Sequence, residues 1–87
     1  MANTFIALLR KRAVLDRVGF GHAHLYNEIR DGRFTKPVKL TSRSSAWPSN
    51  EVDLIVRAYV RGATDAELKQ LVRELEAARR DAGIVAA

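Results

Sequence analysis

The sequence contains no cysteine, which excludes disulfide bonds, thiolate metal sites and cysteine nucleophiles. Long apolar runs are missing as well, because stretches such as Phe5 to Leu9 fall far short of the roughly 20 residues that span a bilayer. Residues 1–9 also lack the basic start and the small-residue cleavage site of a signal peptide. We therefore expect a complete, soluble protein of the reducing cytoplasm, with no membrane partner.

Residue patterns typical of catalysis or metal binding are absent too. Asp16, Glu28 and Asp31 fall on different helix faces, so they form no catalytic carboxylate pair, and no Ser/His/Asp spacing or glycine-rich phosphate loop occurs. His22 and His24 stand two positions apart on a predicted helix, which puts them on different faces, and no nearby acid completes a metal site. We expect no catalytic residue, no metal, no cofactor and no enzymatic activity.

Basic residues are concentrated in the first part of the chain, whose 87 residues provide enough material for one core. Residues 1–50 hold nine Lys and Arg against three Asp and Glu, whereas residues 51–87 hold six against seven. This asymmetry indicates a polyanionic partner for the first part. The alternative is a solvated basic surface that binds nothing, and composition alone leaves both open.

The spacing of apolar residues predicts two helices joined by a tight turn. Apolar side chains in residues 12–18 share one face of a two-turn helix. Gly19 ends this helix, because glycine readily adopts the left-handed conformation that closes helices. A second helix begins at Gly21 or His22 and ends at Gly32. This order of elements is typical of a helix-turn-helix.

The second helix has two contrasting faces at about 100° per residue. The side predicted to pack on the first helix carries Leu25, Ile29, His22 and Tyr26. The opposite side carries Ala23, His24, Asn27, Arg30 and Asp31. In a recognition helix the residues expected to contact DNA are His22, Ala23, His24, Asn27 and Arg30. Asparagine is suited to bidentate pairing with adenine, and arginine to guanine or phosphate.

Residues 34–47 change character and predict a β-hairpin. Pro37 excludes a helix interior, and residues 38–40 and 45–47 alternate apolar and polar around a turn at 41–44. The hairpin follows the second helix directly, as a wing beside DNA would, and we expect Trp47 to anchor it in the core. The predicted phosphate and wing contacts are Lys39, Arg43 and Ser44 in the hairpin and Arg10, Lys11 and Arg12 before the first helix.

Two further elements flank this unit. The apolar segment Phe5 to Arg10 predicts either an edge strand or a packed N-terminal arm. Ser49 is a suitable N-cap for a third helix that ends at Gly62. The apolar stripe of that helix consists of Val52, Ile55, Val56 and Tyr59. Leu54 falls off this stripe and leaves spare apolar surface.

A C-terminal helix is predicted from residue 64 onward. Thr64 and Glu67 form a capping box at its start, and Gly83 is its predicted end. Ion pairs one helical turn apart are expected between Asp65 and Lys69 and between Glu76 and Arg80. Its apolar seam consists of Leu68, Leu71, Val72, Leu75 and Ala78.

The sequence leaves two roles open for this seam, since the helix can fold back onto the domain or join neighbouring monomers. We therefore predict a DNA-binding domain at residues 1–63 and a packing or oligomerisation element at residues 64–87. The candidate oligomerisation residues are Leu54, Leu68, Leu71, Val72 and Leu75. The predicted fold class is mainly α with a small β wing: a winged helix-turn-helix of the MerR and excisionase kind plus a C-terminal amphipathic helix.

Residues Leu9 to about Val60 resemble the AlpA-type prophage regulatory proteins, relatives of the small phage excisionases with a winged helix-turn-helix. The residues that carry the resemblance are Val14-Leu15, Val18-Gly19, Leu25-Tyr26, Ile29, Gly32-Arg33-Phe34, Lys36-Pro37-Val38-Lys39-Leu40, Arg43, Ala46-Trp47 and Glu51-Val52. The run from Gly32 to Leu40, followed by Arg43 and Trp47, is the most specific part. The C-terminal helix lies outside the resemblance.

The start of the second helix departs from the family pattern. The family usually has a capping Ser and a first turn rich in Ser, Arg and Thr, whereas this chain has Gly21-His22-Ala23-His24, with Asn27 where a basic residue is common. Glycine is an acceptable N-cap, so we expect the scaffold to be retained. We expect the DNA sequence that is read to differ.

The resemblance implies a regulator encoded on a prophage or integrative element and located at the bacterial nucleoid. Its expected role is that of an excisionase (a recombination directionality factor), which binds double-stranded DNA near an attachment region so that a site-specific integrase favours excision. One recognition helix and one wing cover little DNA, so self-association on adjacent sites is expected. The resemblance equally implies a transcription activator or repressor. A more distant alternative is the DNA-recognition subunit of a packaging or partition complex.

Overall fold

Four helices and a three-stranded sheet make up the chain in the computed structural model, which describes the backbone of residues 6–85 and the side chains of residues 6–81. In chain order the elements are β1 (Leu8–Leu9), α1 (Lys11–Val18), α2 (His22–Arg30), β2 (Val38–Thr41), β3 (Ser44–Pro48), α3 (Ser49–Val60) and α4 (Asp65–Val85). The predicted winged helix-turn-helix with a C-terminal helix is confirmed.

Glycines in the left-handed conformation end α1 and close the turn after α2. Gly19 has φ +79° and its N–H donates to the Leu15 carbonyl at 2.9 Å. After α2, Gly32 also has φ +79°, and the Arg33 N–H donates to the Glu28 carbonyl at 2.8 Å. These bonds satisfy carbonyls that the helix ends would otherwise leave without partners. Both predicted helix ends are therefore confirmed.

The sheet joins the N-terminal arm to the wing in the order β1-β3-β2, with antiparallel pairing. The predicted hairpin is confirmed, with a two-residue turn at residues 42–43 and a bulge at Leu40. Leu8 and Leu9 pair with Pro48 and Trp47, which confirms the edge strand. Phe5, the first residue of the predicted arm, lies outside the described residues.

Ser49 does not cap α3, in contrast to the sequence prediction. The helix begins at Ser49 itself, Pro48 occupies the N-cap position, and no side chain caps the first turn. The Ser49 hydroxyl instead accepts the Ala7 N–H at 2.8 Å, while the Ser49 N–H donates to the Ala7 carbonyl at 2.8 Å. Ser49 thus extends the pairing between the N-terminal arm and β3. Its partner, Ala7, lies 42 positions away in the sequence.

The core contains side chains from all four helices and from the wing. Its buried apolar members are Val14, Leu25, Phe34, Trp47, Val52, Ile55, Ala58, Leu68 and Val72. Trp47 is 1% exposed, and its Nε1 donates to the Thr35 carbonyl at 2.9 Å. The tryptophan therefore ties the segment before the wing to the core, as expected for an anchor.

The apolar seam of α4 packs on the domain within one chain. Leu68 and Val72 are only 2% and 4% exposed, and Leu71 and Leu75 are partly buried against the same core. Leu54, on α3, is 39% exposed. The sequence left open whether α4 folds back onto its own domain or joins neighbouring monomers, and the observed packing corresponds to folding back. The division of the chain at residue 63 stays a prediction.

The ends and ion pairs of α4 agree only partly with the sequence prediction. The capping box is confirmed, since Glu67 accepts the Thr64 N–H at 2.8 Å and donates its own N–H to the Thr64 hydroxyl at 3.2 Å. Lys69 lies 3.0 Å from Asp65, as expected. The predicted end at Gly83 is wrong, because α4 continues to Val85. A glycine within a helix costs only about 1 kcal/mol relative to alanine.

The predicted pair between Glu76 and Arg80 is not formed among the side chains that the structure describes. The Glu76 carboxylate accepts the backbone N–H of Lys36 at 2.8 Å instead.

Within residues 6–85, no helix combines the length and apolarity needed to cross a bilayer.

Leu68→Ala tests whether α4 belongs to the core of the monomer. Removing a buried leucine costs about 2–5 kcal/mol, so we expect the free energy of unfolding to fall by that amount in urea titrations followed by circular dichroism. Leu54→Ala is the matched control on a half-exposed leucine and should cost much less. An unchanged unfolding midpoint for Leu68→Ala at low protein concentration would contradict the packing of α4 on its own domain.

Candidate nucleic-acid interface

The buried stripe of α2 differs from the predicted one. Leu25 is fully buried, Glu28 is 8% exposed and Ile29 is partly buried. His22 and Tyr26, predicted to pack on α1, are exposed instead, Tyr26 by 41%. The helix is rotated relative to the prediction, and Glu28 occupies its inward face. An acid is stable there because other elements supply hydrogen-bond donors to the Glu28 carboxylate.

Glu28 is the centre of a network that holds α2 against α3 and α4. The Tyr59 hydroxyl donates to its carboxylate at 2.9 Å, and Arg33 Nε donates at 3.0 Å. Arg33 Nη1 also donates to Asp65, at the start of α4, at 2.7 Å. A buried carboxylate with two donors avoids most of the cost of desolvation, so the acid fixes the rotation of α2.

The pKa values in this network follow from its hydrogen bonds. Burial, and then the hydrogen bond to Glu28, raise the pKa of Tyr59 far above its ordinary value, so the phenol remains a donor. Hydrogen bonds to Glu28 and Asp65 raise the pKa of Arg33. Contacts with Lys69 and then Arg33 lower the pKa of Asp65. Sequence reasoning missed this network, although an acid three residues after a buried leucine was a usable signal.

The outward face of α2 carries Ala23, Asn27 and Arg30, all exposed as predicted. The Arg30 side chain is 70% exposed, and its Nε lies 3.5 Å from Asp31. Because Asp31 is itself exposed, such a pair contributes little and leaves the guanidinium available. These three residues form an exposed strip that can face base edges in a groove, with Asn27 and Arg30 as its polar members.

Tyr26 adds an aromatic residue to this outward face, which sequence reasoning missed. Its ring centroid is 4.8 Å from that of His22, and Lys11 Nζ lies 5.6 Å from the ring centre. The ring therefore connects the first turn of α2 with the start of α1. A phenol in this position offers a hydroxyl donor to a phosphate and a ring to a base edge.

His24 is engaged on the domain side of α2. Its ring stacks on Phe20 with a centroid distance of 4.0 Å and an interplanar angle of 17°. Its Nε2 lies 3.7 Å from the Glu28 carboxylate, and the side chain is 55% exposed. His24 thus lies at the margin of the outward face, whereas Ala23 and Asn27 lie on it.

A basic cleft of about 350 Å³ lies between the start of α1 and the wing. Four of the predicted phosphate contacts meet there, although the wing and the start of α1 are about 30 positions apart in the sequence. The lining residues are Arg10, Lys11, Arg12, Tyr26, Arg43, Ser45 and Trp47. Within residues 6–81, the four cations of the cleft form no ion pair, whereas Arg33, Arg57, Lys69 and Arg79 each do.

The first turn of α1 adds partial positive charge to the cleft. Arg10 is the N-cap residue in an extended conformation, and no side chain caps the turn that follows. Free N–H groups and the helix dipole favour an anion at such an end, here alongside four cationic side chains. The cleft is therefore chemically matched to a phosphate.

The wing tip carries Arg43 in a two-residue turn. The Arg43 N–H donates to the Thr41 hydroxyl at 3.1 Å, which fixes the turn, and the Arg43 side chain is exposed. Lys39 is exposed on β2 but is not part of the cleft lining, and Ser44 is half-buried where β3 begins. The structure thus brings Arg43 to the residues before α1, while Lys39 lies apart from them.

Clusters of three or more metal-ligating side chains do not occur among the described residues. The chemistry that this surface offers is recognition of an anion by cations, backbone N–H groups and a phenol, next to an outward helix face with an amide and a guanidinium.

Comparison with protein families adds an independent observation. A family model described as prophage CP4-57 regulatory protein (AlpA) matches residues 7–55. The match covers the N-terminal arm, both helices of the helix-turn-helix, the wing and the first half of α3, and it ends before α4. No curated protein and no solved structure gives a significant match to the chain.

Glu28→Gln tests whether the buried carboxylate holds α2 in place. Tyr59 and Arg33 both donate to one carboxylate oxygen, Oε1, so an amide of the same size can still accept from both, but without the negative charge these hydrogen bonds become weaker. We expect the free energy of unfolding to fall by about 1–3 kcal/mol. Glu74→Gln, on the exposed side of α4, is the control and should leave stability nearly unchanged. Equal melting temperatures for the two variants would show that Glu28 does not fix the helix.

Proposed function

Because this chain belongs to the AlpA family of prophage regulatory proteins, we propose that it is a non-enzymatic regulator of a prophage or integrative element that binds double-stranded DNA. The observation that carries the proposal is the convergence of Arg10, Lys11, Arg12 and Arg43 on one cleft beside the outward face of α2. Cations from separate parts of the chain meet there, and none of them pairs with an acid among the side chains of residues 6–81, which favours a polyanion as the ligand.

In the proposed complex α2 enters the major groove. Asn27 and Arg30 then face base edges, and His22, Ala23 and Tyr26 lie on the same exposed part of the helix. The cleft between α1 and the wing takes a backbone phosphate, while Arg43 and Lys39 follow the flanking strand. The contacts to base edges specify the DNA sequence, and the contacts to phosphates fix the register of the protein on the duplex.

The proposed role is that of an excisionase, acting near an attachment region as the partner of a site-specific integrase. Such a role needs DNA shaping and contacts with neighbouring proteins, and this surface offers binding without a catalytic group. Self-association on adjacent sites is part of the proposal. With Leu68 and Val72 buried in the core, the candidate contact residues are the exposed Leu54 and the partly buried Leu71 and Leu75.

Transcriptional regulation is the second candidate, and the word regulatory in the family description favours it. Both roles use the same DNA-facing residues, so the position of the binding sites distinguishes them. Footprinting over the attachment region and over the neighbouring promoters, combined with an excision assay with and without this protein, provides the test. Protection at promoters alone, with unchanged excision, would favour regulation and contradict the excisionase role.

Asn27→Ala and Arg43→Ala distinguish base reading from phosphate contact. Asn27→Ala should weaken binding to the preferred site by about 1–3 kcal/mol and leave random DNA nearly unaffected, because its amide reads a base edge. Arg43→Ala should weaken binding to specific and random DNA alike, since a phosphate contact is independent of sequence. Both can be measured by fluorescence anisotropy on matched duplexes. Equal losses on both DNAs for Asn27→Ala would mean that α2 does not read bases through this face.

A further inference from the structure

The segment between α2 and the wing has no regular structure, yet it determines where the wing lies. Residues 33–37 pass from the end of α2 to the first residue of β2. Phe34 and Thr35 are buried, and Pro37 has no N–H to donate. Backbone polar groups in such a segment require partners from elsewhere in the fold.

Side chains of α4 supply these partners at Lys36. The Lys36 N–H donates to the Glu76 carboxylate at 2.8 Å, and the Lys36 carbonyl accepts from Arg79 Nη2 at 2.6 Å. One residue earlier, the Thr35 carbonyl accepts from Trp47 at 2.9 Å. Side chains remote in sequence therefore hold both polar backbone groups of Lys36, two positions before the wing begins.

Arg79 is itself held in a fixed orientation. Its Nε and Nη2 donate to the two carboxylate oxygens of Glu51, at 2.8 Å and 2.7 Å. Glu51 lies in the first turn of α3 and is 2% exposed. The hydrogen bonds to Glu51 raise the pKa of Arg79, which remains a cation. A bidentate arginine of this kind is geometrically specific, so α3, α4 and the base of the wing form one rigid joint.

We propose that α4 is a brace that sets the position of the wing, with Glu76 and Arg79 as positioning residues for DNA binding. The inference rests on the proposed function. Five residues lead from Lys36 to Thr41 at the end of β2 and span about 16 Å at 3.3 Å per residue, so a rotation of about 10° at Lys36 displaces the wing tip by about 3 Å. That displacement is as long as a hydrogen bond, so it would take Arg43 out of reach of a phosphate held in the cleft.

Glu76→Met tests the brace because charge and geometry predict opposite results. The change removes an acid, so electrostatic attraction to DNA should become stronger. Loss of the bond to Lys36 should instead make binding weaker, by roughly threefold or more, as for residues of one network. Glu74→Met is the matched control on an exposed acid of the same helix and should bind slightly tighter or equally. Equal tightening by both variants would overturn the inference.

A double-mutant cycle with Arg43→Ala separates positioning from a general loss of stability. In the Glu76→Met background, Arg43→Ala should cause a smaller loss of affinity than it does in the parent chain, because the displaced wing no longer holds Arg43 within reach of the phosphate. Additive losses, measured at a temperature where circular dichroism shows all variants folded, would contradict the brace. Should Glu76→Met be unfolded, the milder Glu76→Gln, with Glu74→Gln as control, gives the same cycle, because a neutral amide holds the Lys36 N–H more weakly than a carboxylate does.

Failure of this inference is distinct from failure of the proposed function. If the parent chain binds no DNA at low salt, the proposed function fails before any variant is compared. If the parent chain binds DNA and the cycle is additive, the proposed function is retained. The positioning role of α4 then fails, and α4 contributes only to stability.

Discussion

The carboxylate of Glu28 accepts hydrogen bonds from Tyr59 on α3 and from Arg33 after α2, and the orientation of the proposed DNA-binding face of α2 depends on this contact. A buried acid without such donors would be expensive, so α2 is stable in the rotation that brings Glu28 to them. In that rotation Asn27 and Arg30 face outward. Arg33 extends the same network to Asp65 at the start of α4.

Some of the cationic side chains form structural ion pairs, and others are available to bind an anion, a division that composition alone does not show. Acids of the second half of the chain pair with selected arginines: Glu51 with Arg79, and Asp65 with Arg33. Within residues 6–81, the cations beside α1 and at the wing tip have no such partners, so they supply the positive surface. Four of the nine Lys and Arg side chains of residues 1–50 therefore meet in one cleft that can receive a phosphate.

Local patterns in the sequence predicted the elements that depend on local chemistry. Gly19 and Gly32 end helices because of their backbone freedom, and Thr64 with Glu67 forms the capping box because both partners lie within one turn. The hairpin likewise follows from alternation around a short turn. These features need no knowledge of distant contacts, which is why the fold could be predicted.

Most of the features that could not be predicted depend on partners far away in the sequence. Glu28 turns inward because Tyr59 lies 31 positions later, which exposes Tyr26 against the helical-wheel prediction. Ser49 bonds Ala7 rather than its own helix. Arg79 of α4 likewise contacts Glu51 and Lys36, which lie 28 and 43 positions earlier in the sequence.

The central claim is that the cleft and the outward face of α2 form one surface that binds duplex DNA, with the cleft in contact with the phosphate backbone. The most direct measurement is the affinity for duplex DNA over a range of salt concentrations. With about four to six phosphates neutralised per monomer, log K should fall against log salt with a slope of about −4 to −5. A slope near zero, or no binding at low salt, would contradict the account.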